Sequence, residues 1–139
     1  MAVKAMGWAH SFPVSGGVRA GREWVRGHVE SLPWTAEEPE TVESIVLAVS
    51  ELLTNAHVHA HSDAHLILTW DGDCLHVSVH DEDPTLPRRR EPGESEVSGR
   101  GVSIVSALAD TWGMKCGRHG KTVTACFRPA HPAHTDEAD

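Results

Sequence analysis

Apolar and polar residues alternate most regularly in the middle of the chain. The segments "AHLILTW" (64–70) and "CLHVSVHD" (74–81) place apolar side chains at every second position, and "DGD" separates them. Alternation with a period of two is typical of a strand with one buried face, and Asp-Gly is a strong turn signal. The pattern predicts a β-hairpin whose second strand ends at Asp81.

Two segments before this hairpin follow the helical period instead. In "GGVRAGREWVRGHVESL" (16–32), and again from Thr35 to about Ala60, apolar residues recur three and four positions apart. This spacing predicts two amphipathic helices. Thr35 is the expected N-cap of the second helix, because a Thr hydroxyl accepts hydrogen bonds from the unpaired N–H groups of the first turn.

The second helix carries a polar stripe beside its apolar side. Glu51, Asn55 and His59 are four residues apart, so they share one face of a regular helix. The stripe allows two interpretations. It is either the solvated face of an amphipathic helix or a face turned toward a ligand.

The rest of the chain completes a pattern of strands and helices. "GWAHSFPV" (7–14) is the expected opening edge strand, "GVSIVSALAD" (101–110) a short helix, and "TWGMKC" (111–116) with "TVTACF" (122–127) a second hairpin. The order β-α-α-β-β-loop-α-β-β predicts an α+β fold. We expect a two-layer α/β sandwich, with a mixed, mostly antiparallel sheet and helices on one face.

Two stretches lack the apolar content of a core. Residues 82–99 are rich in Pro, Arg, Glu, Ser and Gly, and so long a connection within a compact domain is usually functional or disordered. Residues 128–139 are polar and broken by proline, which predicts a disordered tail. The remainder, residues 1–127, is predicted to form a single domain. We expect its five tryptophans in or near the core.

Charge and cysteine content narrow the classes of function. The formal net charge of −8 argues against a nucleic-acid partner, although "PRRRE" (87–91) is a local basic patch. Cys74, Cys116 and Cys126 show no metal-like spacing, so reduced thiols are expected, with a Cys116–Cys126 disulfide as the alternative. No signal peptide or membrane-spanning run is visible in the sequence, and a cytoplasmic location is expected.

Four motifs occur in a fixed order along the chain. They are "ELLTNAHVHA" (51–60), "VHDEDPT" (79–85), "SGRGVSIVSAL" (98–108) and "GKTVTAC" (120–126). The set resembles the ATP-binding superfamily of gyrase, heat-shock chaperones, histidine kinases and mismatch-repair ATPases (the Bergerat fold), over roughly Phe12 to Phe127. The small size and the first motif resemble most the anti-sigma-factor serine/threonine kinases of Gram-positive bacteria.

The resemblance assigns the polar stripe to catalysis. It implies that Glu51 is the general base that deprotonates an attacking hydroxyl. Asn55 would be a ligand of Mg²⁺, to which its amide oxygen is suited, and His59 occupies the basic position of the motif. A carboxylate and a metal ligand on one rigid helix suit phosphoryl transfer, which depends on positioning and charge neutralisation.

The resemblance also implies the adenine contacts. Asp81 would accept a hydrogen bond from the adenine amine, and Thr122 would bind adenine directly or through water. The usual glycines of the second motif are replaced by Asp83 and Thr85, and glycine allows close backbone approach. The alternatives are a turn carboxylate for Asp81 and a β-branched strand residue for Thr122.

The third motif would hold the phosphates. Gly99 and Gly101 let backbone amides approach an anion at the start of a helix that includes Val102. Arg100 is either a phosphate ligand or a solvated side chain. Residues 82–99 would then form a lid over the nucleotide.

The function expected from the resemblance is that of an ATP- and Mg²⁺-binding anti-sigma factor with serine/threonine kinase activity toward a small antagonist protein. Its partners would be a sigma factor and that antagonist, and a homodimer is expected. One alternative is a module that sequesters its partner without turnover, which the glycine-poor second motif favours. A stand-alone ATPase domain of histidine-kinase type is a further alternative, although the segment before the second helix shows no dimerising helical pair.

Three histidines near the end of the second helix also suggest a metal. His57 and His61 are one helical turn apart and His65 follows, but His57 lies well off the Glu51 face at about 100° per residue. The default interpretation is three solvated surface histidines, with a metal site as the alternative.

Overall fold

The computed structural model describes residues 6–82 and 104–130 of the 139-residue chain, apart from the side chain of His59. Its elements are β1 (Met6–Phe12), α1 (Gly17–Glu30), α2 (Pro39–Thr54), β2 (Ala64–Trp70), β3 (Leu75–Asp81), β4 (Thr111–Gly117) and β5 (Gly120–Phe127). Residues 104–108 are also helical. None of the helices in these ranges is long and apolar enough to cross a membrane.

The strands form one sheet in the order β1-β2-β3-β5-β4, and each of these pairings is antiparallel. Both predicted hairpins are present, and β1 lies at an edge of the described sheet, as the sequence predicted. Helix α1 contacts β1 and α2, while α2 contacts β3 and β5. The predicted α+β sandwich is confirmed.

The core lies between the helices and one face of the sheet, which we call the inner face. Strand β3 shows why, because its buried and half-exposed residues alternate along its whole length. The buried positions are Leu75, Val77, Val79 and Asp81. We call the opposite side of the sheet the outer face; it carries His76, Ser78 and His80 of β3 and their partners Cys126, Thr124 and Thr122 of β5.

The start of α2 differs from the prediction. Thr35 lies in a 3₁₀ turn, Pro33–Glu37, and its buried hydroxyl donates to the carbonyl oxygens of Val29 and Leu32. Thr35 therefore caps the end of α1, and the prediction that it is the N-cap of α2 is wrong. Helix α2 begins at Pro39, where proline fits because the first helical N–H has no partner within the helix.

The cysteines agree with the expected free thiols and not with the alternative disulfide, whereas one tryptophan corrects the sequence analysis. Cys116 lies opposite Lys121 and Cys126 opposite Thr111, because Cys116 is next to the hairpin turn and Cys126 is far from it. All three cysteines are free. Trp112 is 37% exposed on edge strand β4, so its predicted burial is wrong. The other four pack against the core as predicted; they are Trp8, Trp24, Trp34 and Trp70.

Several predictions fall outside the described residues. The lid at 82–99 is described only at Glu82, and the disordered tail at 128–139 only at residues 128–130. The third helix, predicted at 101–110, is described only from residue 104, and residues 104–108 are helical. These predictions stay predictions.

Candidate functional site

Helix α2 changes its hydrogen-bonding pattern at the polar stripe. The α-helix ends at Thr54, and Asn55–His59 form a π turn in which the N–H of Ala60 donates to the carbonyl oxygen of Asn55 at 3.0 Å. The predicted helix to Ala60 is thus corrected in its last turn, which is wider than an α-helical one. Such π turns are rare and occur frequently at functional sites. Glu51 and Asn55 are both half-buried, so they do not belong to a fully solvated face.

The end of α2 is joined to the end of β3 through Ser62. The N–H of Ser62 donates to the carbonyl oxygen of Ala56 at 2.9 Å, and its hydroxyl oxygen accepts from the N–H of Glu82 at 2.8 Å. Ser62 is itself buried. These two bonds hold the turn that begins with Asn55 next to the residue that follows Asp81.

Asp81 is a buried carboxylate at the end of β3. The residue is 5% exposed and lies on the inner face. Its two carboxylate oxygens accept from Nζ of Lys121, at 3.2 and 2.9 Å. Lys121 is the residue directly opposite on β5. A buried charge is costly unless it is paired, and Lys121 supplies the opposite charge at the end of the core.

Gly120 brings the start of β5 close to the backbone of Asp81. Its φ of +140° lies in a region that favours glycine, and a Cβ there would overlap the carbonyl oxygen of Asp81. The same Cβ would come within 2.9 Å of Cα of Glu82. Glycine is therefore required at this position by both its backbone conformation and the close approach.

The residue predicted to bind adenine beside Asp81 lies on the other face of the sheet. Thr122 is paired with His80, and its hydroxyl is 2.9 Å from Nδ1 of that histidine on the outer face. Lys121 shares the inner face with Asp81 instead. The strand alternation therefore separates Thr122 from Asp81, and the prediction that Thr122 contacts adenine gains no support from its position.

Three of the predicted site residues, Glu51, Asn55 and Asp81, lie on segments that these bonds connect. Glu51 is one helical turn before Asn55, which begins the π turn, and Ser62 joins that turn to the residue after Asp81. Five others lie outside the described residues: Asp83, Gly99, Arg100, Gly101 and Val102. The side chain of His59 is also outside them, although its backbone belongs to the π turn.

Sequence reasoning missed Ser62, Lys121 and Gly120. The register of β3 and β5 would have identified Lys121, because residues opposite each other share a face. Nothing in the sequence indicates Ser62, whose role depends on two segments that meet only in the folded chain.

His57 is buried, not solvated as the default interpretation held. The ring is 5% exposed, and Nε2 donates to the carbonyl oxygen of Phe12 at 2.9 Å. The π turn thereby holds the end of β1 as well as the end of β3. A helix end that fastens two strands is a rigid support for the side chains that precede it, Glu51 and Asn55.

The arrangement suits the adenine end of a nucleotide in one respect and opposes it in another. A fixed, buried carboxylate is the acceptor that an exocyclic amine needs, and it distinguishes adenine from guanine. Lys121 competes for the same two oxygens. An adenine amine must therefore share Asp81 with the ammonium or displace it.

Comparison with protein families agrees with this geometry. The family model described as the histidine kinase-like ATPase domain matches residues 18–127, from α1 to the end of β5. None of the curated proteins compared with the chain matches it. The family model spans most of the chain, and its fold is the one observed here. The chain therefore belongs to the histidine kinase-like ATPase family, and it is an ATP-binding module of the gyrase, heat-shock chaperone, histidine kinase and mismatch-repair type.

Proposed function

We propose that the protein is an ATP-dependent serine/threonine kinase of the anti-sigma-factor type, acting on a small antagonist protein. The observation that supports this most is the placement of Glu51. This half-buried carboxylate lies one helical turn before Asn55 on α2, and the end of α2 is bonded through Ser62 to the residue after Asp81. The residues proposed as base, metal ligand and nucleotide anchor thus lie on segments that are bonded to one another.

Each of these residues has a separate role in the proposed phosphoryl transfer. Asp81 binds the adenine, and Asn55 offers its amide oxygen to Mg²⁺, a hard cation that prefers oxygen ligands. The Mg²⁺ ion, when bound, neutralises charge on the phosphate oxygens. Gly99, Gly101 and Arg100 would contact the phosphates.

Glu51 then acts on the substrate hydroxyl. The carboxylate takes the proton of a Ser or Thr hydroxyl, the hydroxyl oxygen bonds to the γ-phosphorus, and the bond to the β–γ bridging oxygen breaks. ADP leaves with the electron pair of that bond. The products are the phosphorylated antagonist, ADP and a proton that Glu51 releases to water.

A second candidate is a binding module that holds a sigma factor in the presence of ATP without turnover. The Lys121–Asp81 ion pair favours reduced turnover, because an ammonium on the adenine acceptor lowers the fraction of the protein that holds ATP at a given concentration. Asp83, which replaces a usual glycine of the second motif, also favours reduced turnover. A stand-alone ATPase of histidine-kinase type ranks third, and it would transfer phosphate to a histidine of another protein.

A homodimer is part of the proposal. Strand β1 pairs with β2 and forms an edge of the described sheet, and an open strand edge invites pairing with another chain. Sedimentation of the purified protein tests the dimer separately from its activity.

Transfer of labelled phosphate tests the kinase. The protein is incubated with γ-labelled ATP, Mg²⁺ and small proteins captured from the native host, and Glu51→Gln is compared with wild type. The matched control is Glu43→Gln on the same helix, whose carboxylate is bonded to Arg26 at the groove between α1 and α2. We expect Glu51→Gln to lose transfer by about 100-fold or more while it still binds ATP, because a general base contributes about 10²–10⁴-fold.

Equal labelling by wild type and Glu51→Gln would remove Glu51 from the mechanism. Absence of labelling by wild type, with capture of a partner only when ATP is present, would favour the binding module. No heat and no thermal stabilisation at millimolar Mg²⁺–ATP would exclude both, because a ligand that binds the folded state must stabilise it.

A further inference from the structure

The end of β3 opposite Asp81 carries a cluster of two cysteines and a histidine. Cys74 precedes β3, His76 is two residues on, and Cys126 lies directly opposite His76 on β5. Because side chains alternate along a strand, all three project from the outer face. The two Sγ atoms and a ring nitrogen lie within 4.8 Å of one another. The cluster is therefore created by strand register and not by sequence spacing.

A carboxylate orients the histidine of this cluster. Nε2 of His76 donates to Oδ2 of Asp71 at 3.0 Å, while Oδ1 of Asp71 accepts from the N–H groups of Asp73 and Cys74, each at 2.9 Å. With Nε2 as the donor, Nδ1 carries the free lone pair. That nitrogen is 3.0 Å from Sγ of Cys126, a distance at which the thiol S–H donates to the ring.

This arrangement is typical of a histidine that ligates a metal. A histidine that ligates a metal almost always donates its other N–H to a carboxylate or carbonyl, which fixes the tautomer and the ring direction. In this cluster Nε2 of His76 donates to Asp71, and Nδ1 of His76 lies against the thiol of Cys126. The ligand set, two sulfurs and one imidazole, is the one that a borderline-soft divalent cation such as Zn²⁺ prefers.

The geometry requires only small movements to admit the ion. Tetrahedral Zn²⁺ with the usual bond lengths separates a sulfur from an imidazole nitrogen by about 3.6 Å and two sulfurs by about 3.8 Å. The Sγ–Nδ1 distance of 3.0 Å therefore opens by about half an ångström. Cys74 is 2% exposed, whereas His76 and Cys126 are half-exposed, so two of the three ligands are accessible to solvent.

We propose that Cys74, His76 and Cys126 form a three-ligand site for Zn²⁺, with water as the fourth ligand and Asp71 as the residue that positions His76. On binding, both thiols release their protons to water and the two thiolates neutralise the charge of the ion. Neutrality matters because Cys74 is buried, and an unpaired charge there would be costly.

The site is independent of the nucleotide. Cys74 and Asp81 are seven residues apart on an extended strand, which separates them by roughly 20 Å at about 3.3 Å per residue. They also face opposite sides of the sheet. A failure to bind metal would therefore not contradict the proposed kinase activity. A lack of kinase activity would likewise not contradict the proposed metal site.

Cobalt substitution tests the proposal on the full chain. Metal-stripped protein, kept reduced, is titrated with Co²⁺ alone and then with Zn²⁺. We expect one equivalent of Co²⁺ to give sulfur-to-cobalt charge-transfer bands and tetrahedral visible bands, both of which Zn²⁺ abolishes. Cys126→Ser is compared with Cys116→Ser, whose exposed thiol lies on β4 outside the cluster.

The variants separate ligands from the positioning residue. Cys126→Ser should weaken Co²⁺ binding by more than about 100-fold and lose charge-transfer intensity, while Cys116→Ser matches wild type. Asp71→Asn should keep the charge-transfer bands and bind Co²⁺ about 10- to 100-fold more weakly, as expected for an outer partner of a metal-bound histidine. Asp71→Asn also tests the proposal if Cys126→Ser does not fold. A wild-type spectrum without charge transfer, or equal Co²⁺ affinities of Asp71→Asn and wild type, would overturn the proposal.

Discussion

The two ends of strand β3 carry polar side chains in opposite ways. At one end Asp81 faces the helices, is buried and is paired with Lys121 across the sheet. At the other end Cys74 and His76 face away from the helices, beside Cys126. Asp81 has an odd number and the cluster even numbers, so the period of two sends them to different faces. One strand thereby carries the proposed nucleotide residue and the proposed metal ligands on opposite faces of the sheet.

The two ends of β3 are also held in place by different kinds of contact. The Asp81 end is fixed by backbone contacts: Gly120 approaches its carbonyl group and Ser62 bonds to the following N–H. The cluster end is fixed by side chains, chiefly Asp71 on His76. Substitutions should therefore be most damaging at the Asp81 end, and four predictions test this order.

The largest effect is expected for Gly120→Ala. The methyl group would overlap the carbonyl oxygen of Asp81 at a backbone φ of +140°. Strain and overpacking together should lower the free energy of unfolding by about 4 kcal/mol. The control is Gly113→Ala in β4, where a Cβ meets nothing within 4 Å, and its change should stay within about 1 kcal/mol. Urea unfolding measures both, and similar losses would remove the close approach as the cause.

Breaking the ion pair at the Asp81 end should have the next largest effect. Lys121→Met leaves the carboxylate without its ammonium partner, and the side chains are only 15% and 7% exposed. We expect the free energy of unfolding to fall by about 3 kcal/mol. Affinity for ATP should rise, because the adenine amine loses its competitor for Asp81.

Lys115→Met, at an exposed position of β4, is the matched control for the ion pair and should change neither stability nor affinity appreciably. Calorimetric titration with Mg²⁺–ATP gives the affinity. Weaker ATP binding by Lys121→Met would show that the ammonium assists the nucleotide and does not compete with it.

A smaller effect is expected for Thr122→Val. The substitution removes the hydroxyl that pairs with His80 on the outer face, at a cost of about 1 kcal/mol. ATP affinity should not change, because the inner face is untouched. A large drop in affinity by calorimetry would instead support Thr122 as the adenine contact that the family motif implies.

The smallest effect concerns Asp71 in metal-free protein. Its pKa falls from 3.8 to about 2, chiefly because His76 donates to it and then because the N–H groups of Cys74 and Asp73 do. The carboxylate therefore stabilises the folded state above about pH 4, and this contribution is lost as pH falls toward 2. The Asp71 side chain is 44% exposed, so solvent screening keeps the contribution below about 1 kcal/mol.

Urea unfolding of wild type and Asp71→Asn at pH 6 and pH 3, with a chelator present, checks this. The difference between the two proteins should narrow at pH 3. A difference that is constant across this range would mean that the ionised form of Asp71 makes no contribution.

The local pattern of the chain was sufficient to predict the elements and their order. Alternation in β2 and β3 and helical spacing in α1 and α2 are properties of neighbouring residues, so they are visible in the sequence. The same holds for the motif positions of Glu51, Asn55 and Asp81, whose segments the fold connects through Ser62. The prediction that Thr35 caps α2 was wrong because its hydroxyl donates to Val29 in α1 and to Leu32 just after it, six and three residues back.

What only the tertiary structure decided is which distant residues meet. The register of β3 and β5 puts Lys121 on Asp81, Thr122 on the outer face and Cys126 on His76. A shift of one residue would reverse each of these, because side chains alternate between the faces. The sequence determined the elements through local periodicity, whereas both sites depend on pairings between segments some 40 to 50 residues apart, which local periodicity does not specify.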